Sequence, residues 1–187
     1  MPMLRILSCL AVISFSAPLC AESLAVRGDR IFLPVEVNGQ QVDALLDSGA
    51  EVTVFDREFA EAIELEGTAE VEARGTGAGT TSAELVENVA VAALGRQIHL
   101  PIAAIMDLSD VADRLVGSPL PLVLGRELFD AGRLKVDIEG ATIRWLAEGE
   151  GVEGVMLPLA AAHGIETIPV QFGPDIVVEA DFDLGNG

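Results

Sequence analysis

The stretch from Val42 to Phe55 constrains the fold more than any other part of this 187-residue chain. An apolar run enters Asp47-Ser48-Gly49, and the residues Glu51 to Phe55 leave it as a second predicted strand. Glycine permits the sharp turn between these two strands. A carboxyl and a hydroxyl are thereby held at the mouth of a buried strand pair, where a lone charge needs a partner. Because Asp, Ser and Gly are also ordinary turn formers, the tripeptide alone leaves a purely structural turn open.

The residues around this tripeptide resemble the catalytic motif of retropepsin-like aspartic proteases, with Asp47-Ser48-Gly49-Ala50 between apolar residues and a Val-x-Val strand. A second block, Leu122-Val123-Leu124-Gly125 followed by Arg126 to Phe129, is similar to the strand and short helix that close each lobe in that family. The resemblance spans roughly Arg30 to Leu146. It implies an all-β fold, a closed β-barrel lobe with one or two short helices. It also implies that Asp47, Ser48 and Gly49 form the catalytic loop.

A glycine-rich stretch, Gly75-Thr76-Gly77-Ala78-Gly79, separates two predicted strands, Glu70–Arg74 and Thr80–Leu85. No helix and no Gly-Lys-Ser/Thr sequence follows it, so the pattern does not indicate a phosphate-binding loop. Glycine-rich hairpin tips are also common without any function. The resemblance implies that this hairpin is the flap over the active site, in which Gly75, Thr76, Gly77, Ala78 and Gly79 bind substrate.

Alternating hydrophobicity and turn signals predict the other elements of the lobe. Asn38-Gly39 indicates a tight hairpin between strands Ile31–Val37 and Gln41–Leu46. Asp56 is a suitable N-cap for a short helix that runs through Ile63. The remaining predicted elements are strands Val86–Leu94 and Gln97–Ile105, a helix over Arg126–Ala131, and a closing hairpin of Leu134–Ile138 with Ala141–Leu146 around Trp145.

Residues 1–21 have the order of a secretory signal peptide, with a basic start, an apolar run from Ile6 to Leu19 and small residues at Cys20-Ala21. The run is short for a membrane span, which makes an N-terminal anchor the weaker alternative. Both cysteines, Cys9 and Cys20, lie in this segment, so cleavage would leave no disulfide. We therefore expect an exported protein, periplasmic or secreted, with no stable membrane insertion after cleavage.

The composition excludes one class of partner and supports a folded core. A formal net charge of −19 repels nucleic acid, so we expect no nucleic-acid partner. Half of the residues are hydrophobic, which is ample for one compact lobe. His99 and His163 are isolated and lack neighbours at metal-ligand spacing, so we predict no metal and no cofactor. The partner implied by the resemblance is a peptide or protein substrate.

The composition changes after residue 147. Residues 148–160 are acidic and glycine-rich, which is typical of a linker between a lobe of residues 22–147 and a segment of residues 161–187. In that segment Glu179 to Asn186 repeats Asp43 to Ala50 at a shift of 136 residues, which places Asp183 on Asp47. Leu184 stands where the first motif has Ser48. The segment therefore looks like the start of a second, incomplete repeat lobe without the hydroxyl.

Two structural alternatives remain for this second motif. Asp181-x-Asp183 resembles the first two ligand positions of a calcium-binding loop, but the later ligands and the bidentate glutamate of such a loop are missing. The motif is also compatible with an accidental turn. Two strands of an unfinished lobe bury little apolar area, so we expect a frayed tail from about Ala161 onward.

The family resemblance implies a mechanism in which two carboxyls share one proton. One activates a water molecule, and the protonated one polarises the scissile carbonyl. The partner of Asp47 is then either Asp183 or Asp47 of a second copy. The repeat favours Asp183 for a full two-lobed protein, whereas this chain has an incomplete second lobe, and we expect it to be active only as a homodimer. Two alternatives remain open: a catalytically silent peptide-binding or assembly module of the cell envelope, and an acidic β-rich envelope protein in which Asp47 only shapes a turn.

Overall fold

The computed structural model describes residues 21–74, 80–162 and 165–185. About half of the chain is strand, and the helices are short, which confirms the predicted all-β, retropepsin-like class. The predicted flap tip, Gly75 to Gly79, and nearly all of the predicted signal peptide lie outside the described residues. No helix in the described ranges is long and apolar enough to cross a membrane.

Most strands belong to one sheet of eight that curls back on itself. Its order is β2-β3-β4-β9-β5-β8-β7-β6, and an added pairing of β3 with β7 joins distant parts of the sheet. The strands are β2 (Ala25–Arg27), β3 (Arg30–Val37), β4 (Gln40–Leu46), β5 (Val54–Asp56), β6 (Ala69–Arg74), β7 (Thr80–Ala93), β8 (Arg96–Met106) and β9 (Leu122–Leu124).

Strand β9 positions the loop that carries Asp47. It lies between β4 and β5, parallel to β4 with Leu46 opposite Leu124, and antiparallel to β5 with Val54 opposite Val123. The two strands that flank the Asp47 loop are therefore not neighbours. The loop must pass across the end of β9, which brings it over Gly125.

The first hairpin forms as the sequence predicts. Asn38 and Gly39 both have positive φ, 49° and 81°, which is the conformation of the two-residue turn preferred between antiparallel strands. Inward residues of this hairpin, Leu33, Val37 and Leu46, are fully buried in the main hydrophobic core. This burial fixes the register, because a slip of one residue would turn the apolar face to solvent.

Helices α1 and α3 agree with the sequence prediction, whereas α2 and the π-helical turn after it were not predicted and two strand boundaries differ. Helix α1 (Arg57–Ala62) begins after Asp56, whose side chain accepts the N–H of Glu58. Helix α2 (Ser109–Val111) runs into a π-helical turn over Ala112–Val116, and helix α3 (Arg126–Asp130) follows β9. The strand predicted from Glu51 begins only at Val54, because residues 47–53 form the loop across β9. The two strands predicted at 80–85 and 86–94 are one continuous strand, β7.

A second sheet closes the base of the lobe. It contains β1 (Glu22–Ser23), β11 (Thr142–Trp145) and β10 (Leu134–Asp137) in that order. The predicted closing hairpin is therefore confirmed. Trp145 is 2% exposed, and its indole N–H donates to the carbonyl of Leu94 at 3.1 Å.

The chain beyond the linker forms a third sheet, so the expectation of a frayed tail is wrong. Its strands are β12 (Ala160–Ala162), β13 (Ile165–Phe172) and β14 (Ile176–Asp181), all antiparallel. The ladder hydrogen bonds satisfy the backbone, although few side chains are buried. Cross-strand pairs on one face are apolar and partly or largely exposed: Ile168 with Ala180, Val170 with Val178, and Phe172 with Ile176.

The register of this third sheet repeats that of β2, β3 and β4. The pair Ala25–Phe32 recurs as Ala160–Thr167. The pair Val35–Val42 recurs as Val170–Val178. The turn between β13 and β14 is one residue longer than the turn at Asn38-Gly39, which accounts for the change of offset. The segment is therefore a structural copy of the hairpin that leads into Asp47.

Candidate active site

The Asp47 loop holds its carboxyl by backbone contacts at the end of β4. The Asp47 N–H donates to the carbonyl of Leu124 on β9 at 3.1 Å, which anchors the start of the loop. The N–H of Gly49 donates to Oδ1 of Asp47 at 2.9 Å. This bond closes an Asx-turn, in which an Asp side chain accepts the backbone N–H of the residue two positions later.

The Asp183 loop has the same internal bond. The N–H of Gly185 donates to Oδ1 of Asp183 at 2.7 Å. Because both loops follow the same strand pattern, the two carboxyls are presented in equivalent ways by β4 and by β14. The equivalence noted in the sequence therefore extends to the local geometry.

The structure brings the two loops together within one chain. A Cβ placed on Gly49 would lie 2.9 Å from Cγ of Asp183, and one placed on Gly185 would lie 2.5 Å from Cγ of Asp47. Each glycine thus lets the opposite carboxyl approach more closely than any side chain would allow. The structure differs here from our expectation that Asp47 would need a second copy, because Asp183 of the same chain lies beside it.

Ser48 ties the two loops to each other. Its hydroxyl donates to the carbonyl of Phe182 at 3.0 Å and accepts the N–H of Leu184 at 3.0 Å. Leu184 occupies the equivalent position in the second loop and has no hydroxyl to make the reciprocal bonds. The hydroxyl link is therefore one-sided, as the replacement of Ser by Leu in the repeat predicts.

The surroundings of Asp47 favour its protonated form. The pKa of Asp47 is raised from its ordinary 3.8 to about 6, first by burial and then by the charge of Asp183 and a hydrogen bond with it. Hydrogen bonds from the backbone N–H groups of Gly49 and Ala50 act in the opposite direction. Two half-buried carboxyls in contact cannot both ionise cheaply. The pair therefore keeps one proton to a higher pH than an isolated aspartate would.

A buried polar network supports the Asp47 loop from below, and the sequence analysis missed it. Thr53 is fully buried, and its hydroxyl accepts the N–H of Gly125 at 3.1 Å while donating to Oε2 of Glu127 at 2.9 Å. Oε1 of Glu127 accepts the backbone N–H of Thr53 at 3.1 Å. A Cβ on Gly125 would lie 2.9 Å from the carbonyl carbon of Val52. A threonine between two valines, in Val52-Thr53-Val54, is the sequence signal from which this network could have been found.

The predicted site residues divide into two groups. Asp47, Ser48, Gly49 and Asp183 meet at one place, whereas Gly75 to Gly79 lie outside the described residues. Within the described ranges no group of three or more potential metal ligands occurs, Asp181 and Asp183 included. The chemistry that this arrangement offers is that of two carboxyls sharing a proton.

This fold and paired-carboxyl loop are those of aspartic proteases. The sequence profile of the aspartyl protease family matches residues 33–128, about half of the chain, and the chain belongs to that family. It is also similar to DNA damage-inducible protein 1 of Neurospora crassa, at 27% identity over 145 residues. That match covers 77% of this chain but 31% of the relative, so the chain spans about a third of the relative's length.

Comparison with solved structures bears on the fold. A retropepsin-like aspartic protease from Rickettsia conorii matches with a TM-score of 0.50 at 14% identity, over 67% of this chain and 98% of that one. The retroviral protease-like domain of Ddi1 from Leishmania major matches with a TM-score of 0.45 at 16% identity, over 65% of this chain and 97% of that one. Identities this low bear on the fold alone, and the likeness in fold rests on the first of the two.

Proposed function

We propose that this chain is an exported aspartic endopeptidase in which Asp47 and Asp183 of one chain form the catalytic pair. The observation that carries the proposal is the reciprocal packing of each glycine against the opposite carboxyl. A Cβ added at Gly49 would lie 2.9 Å from one carboxyl carbon, and a Cβ added at Gly185 would lie 2.5 Å from the other. Membership of the aspartyl protease family supports peptidase activity in general. The specific pairing is our own inference from the geometry.

In the proposed reaction the ionised carboxyl takes a proton from a water molecule as the water attacks the scissile peptide carbonyl. The protonated carboxyl donates its proton to the carbonyl oxygen, so the net charge of the pair is unchanged in this step. Burial and the neighbouring charge of Asp183 raise the pKa of Asp47 to about 6, and we assign the proton to Asp47 on that ground. Asp183 then acts as the base. The substrate is an extended peptide, and residues 75–79 would cover it.

Export is part of the proposal and rests on the sequence alone. Residues 1–21 combine a basic start, an apolar run and a small-residue cleavage site. Intact-mass analysis of the protein produced with its own N-terminus would test this. A mature chain that begins near Glu22 is the expected result, and a mass that retains Met1 would contradict it.

The activity is tested by incubating the purified chain with an unfolded protein at pH values from about 3 to 7. We expect cleavage that pepstatin inhibits and that both Asp47→Asn and Asp183→Asn abolish. Asn preserves the shape and much of the hydrogen bonding of Asp but cannot transfer the proton. Asp181→Asn is the matched control, because it removes an exposed charge two residues from Asp183. Full activity in Asp183→Asn with none in Asp47→Asn would instead favour pairing between two copies.

One observation favours a second candidate, the silent binding or assembly module. Leu184 leaves the second loop without the hydroxyl that Ser48 supplies to the first, so the link between the loops is incomplete. The same assay separates the two candidates. Absence of cleavage by the wild-type chain at every pH, together with retained peptide binding, would support the silent module.

A further inference from the structure

The third sheet is attached to the first lobe through a segment that can act as a hinge. Arg144 forms an ion pair with Glu150 at 2.5 Å, which fixes the beginning of the segment on the lobe. Residues 151–159 then contain no helix or strand and are all exposed, including Met156 at 93%. In the described part of the chain, β12, β13 and β14 pair only with one another.

One contact between this sheet and the lobe lies at the loops that carry Asp47 and Asp183. It consists of the paired carboxyls, the two hydrogen bonds of Ser48 and the close packing of Gly49 and Gly185. The position of the sheet therefore depends on a contact whose centre is two acidic groups. Any change in the charge of that pair acts directly on docking.

We propose that the proton shared by Asp47 and Asp183 controls the docking of the third sheet on the first lobe, so that the sheet is released as the pH rises. With one proton the two carboxyls attract each other through a hydrogen bond. Without it they are two like charges in a half-buried contact. The hinge at residues 151–159 allows the loop at Asp183 to move away without unfolding either part.

Other charged groups surround this contact on both sides. The charge that raises the pKa of Asp47 is that of Asp183, within the contact itself. On α3, Arg126 is paired with Asp130 and lies within electrostatic range of Glu166 on β13. The charged groups on the elements that flank the two loops are Glu51, Arg126, Glu127, Asp130, Glu166 and Asp181.

The direction and range of the pH effect follow from linkage. Below about pH 4 an aspartate is protonated even when the loops are apart, so docking carries no charge penalty. Between pH 4 and about 6 only the docked pair keeps the proton, and docking weakens as the pH rises. The pKa change from 3.8 to about 6 sets an upper limit of roughly a hundredfold on the change in the docking equilibrium, because the first lobe itself contributes to the burial of Asp47. Solvent at the half-exposed pair lowers the expected change further, toward about tenfold.

This regulation rests on the proposed catalytic site, but its test does not require catalysis. The experiment is NMR spectroscopy of the ¹⁵N-labelled chain from pH 3.5 to 7.5, observing the amide of Leu184 and its proximity to Ser48. We expect the bonded amide signal of Leu184 at low pH to give way to an exposed one between pH 4 and 6. The amide signals of the first lobe should remain those of a folded protein across the whole pH range.

Two variants of equal charge make the test specific. Asp183→Asn cannot form the doubly charged pair, so its docking should depend on pH much less than that of the wild type, with only the burial of Asp47 left to disfavour the charged form. Asp181→Asn removes one charge from the same exposed strand and should titrate as the wild type does. The inference is overturned if the wild type stays docked at pH 7.5, if Asp183→Asn titrates as strongly as the wild type, or if Asp181→Asn loses the pH dependence.

These outcomes are distinct from failure of the proposed function. Docking that titrates in a chain without peptidase activity would support this inference and contradict the enzyme. Peptidase activity with docking that does not change with pH would do the reverse.

Discussion

The buried hydroxyl of Thr53 offers a quantitative test of how the fold supports the Asp47 loop. Thr53→Val keeps the shape of the side chain but removes the acceptor of the Gly125 N–H and one donor to Glu127. An unpaired buried donor costs about 1–3 kcal/mol, and with the lost bond to a carboxylate we expect a total of about 2–4 kcal/mol. That is a large part of the stability of a small domain, about 5–15 kcal/mol.

Urea unfolding followed by the fluorescence of Trp145, the only tryptophan, measures this loss. Thr53→Ser is the matched control, because it keeps the hydroxyl and loses a single methyl group, at a cost of about 1 kcal/mol. Stability of Thr53→Val within about 0.5 kcal/mol of the wild type, on the order of ordinary surface substitutions, would refute the argument. A loss in Thr53→Ser as large as that in Thr53→Val would show that the methyl packing contributes as much to stability as the hydrogen bonds.

Three further changes test other contacts of the site and core. Gly185→Ala places a Cβ 2.5 Å from Cγ of Asp47, which should separate the two loops and lower peptidase activity at least tenfold in a cleavage assay. Gly151→Ala is the control, because a Cβ there lies in open space and should leave the cleavage rate unchanged. Ser48→Ala removes both hydrogen bonds between the loops, and we expect faster amide exchange at residue 184 with little change in lobe stability. Trp145→Phe leaves a buried carbonyl without its donor and should cost about 2–3 kcal/mol in a thermal unfolding experiment.

Local sequence signals were sufficient for the hairpins and the short helices. The turn at Asn38-Gly39 needs two adjacent residues with positive φ, and that requirement is readable from the dipeptide itself. The cap at Asp56 is equally local, since its side chain bonds an amide two residues away. Features of this kind are set by neighbours in the sequence, so no knowledge of tertiary packing is needed.

The support of the Asp47 loop was not predictable in the same way. Thr53 and Glu127 are 74 residues apart, and their bond exists only because β9 passes between β4 and β5. The sequence places Glu127 only within the predicted short helix Arg126–Ala131. The strand expected from Glu51 was displaced for the same reason, because the loop that crosses β9 uses residues which alternation alone would assign to a strand.

The internal repeat explains why Asp183 was found from the sequence, although an incomplete second lobe was expected to leave its pairing with Asp47 to a full two-lobed protein. A copied hairpin reproduces backbone register, so the motif at its end must present a carboxyl as β4 presents Asp47. What the repeat does not preserve is side-chain chemistry. Ser48 has a hydroxyl and Leu184 does not, and only the first of the two hairpins is covered by a complete core. Two carboxyls in equivalent backbone positions thus have unequal surroundings, and in the reaction that we propose this inequality would let one of them hold the proton while the other acts as the base.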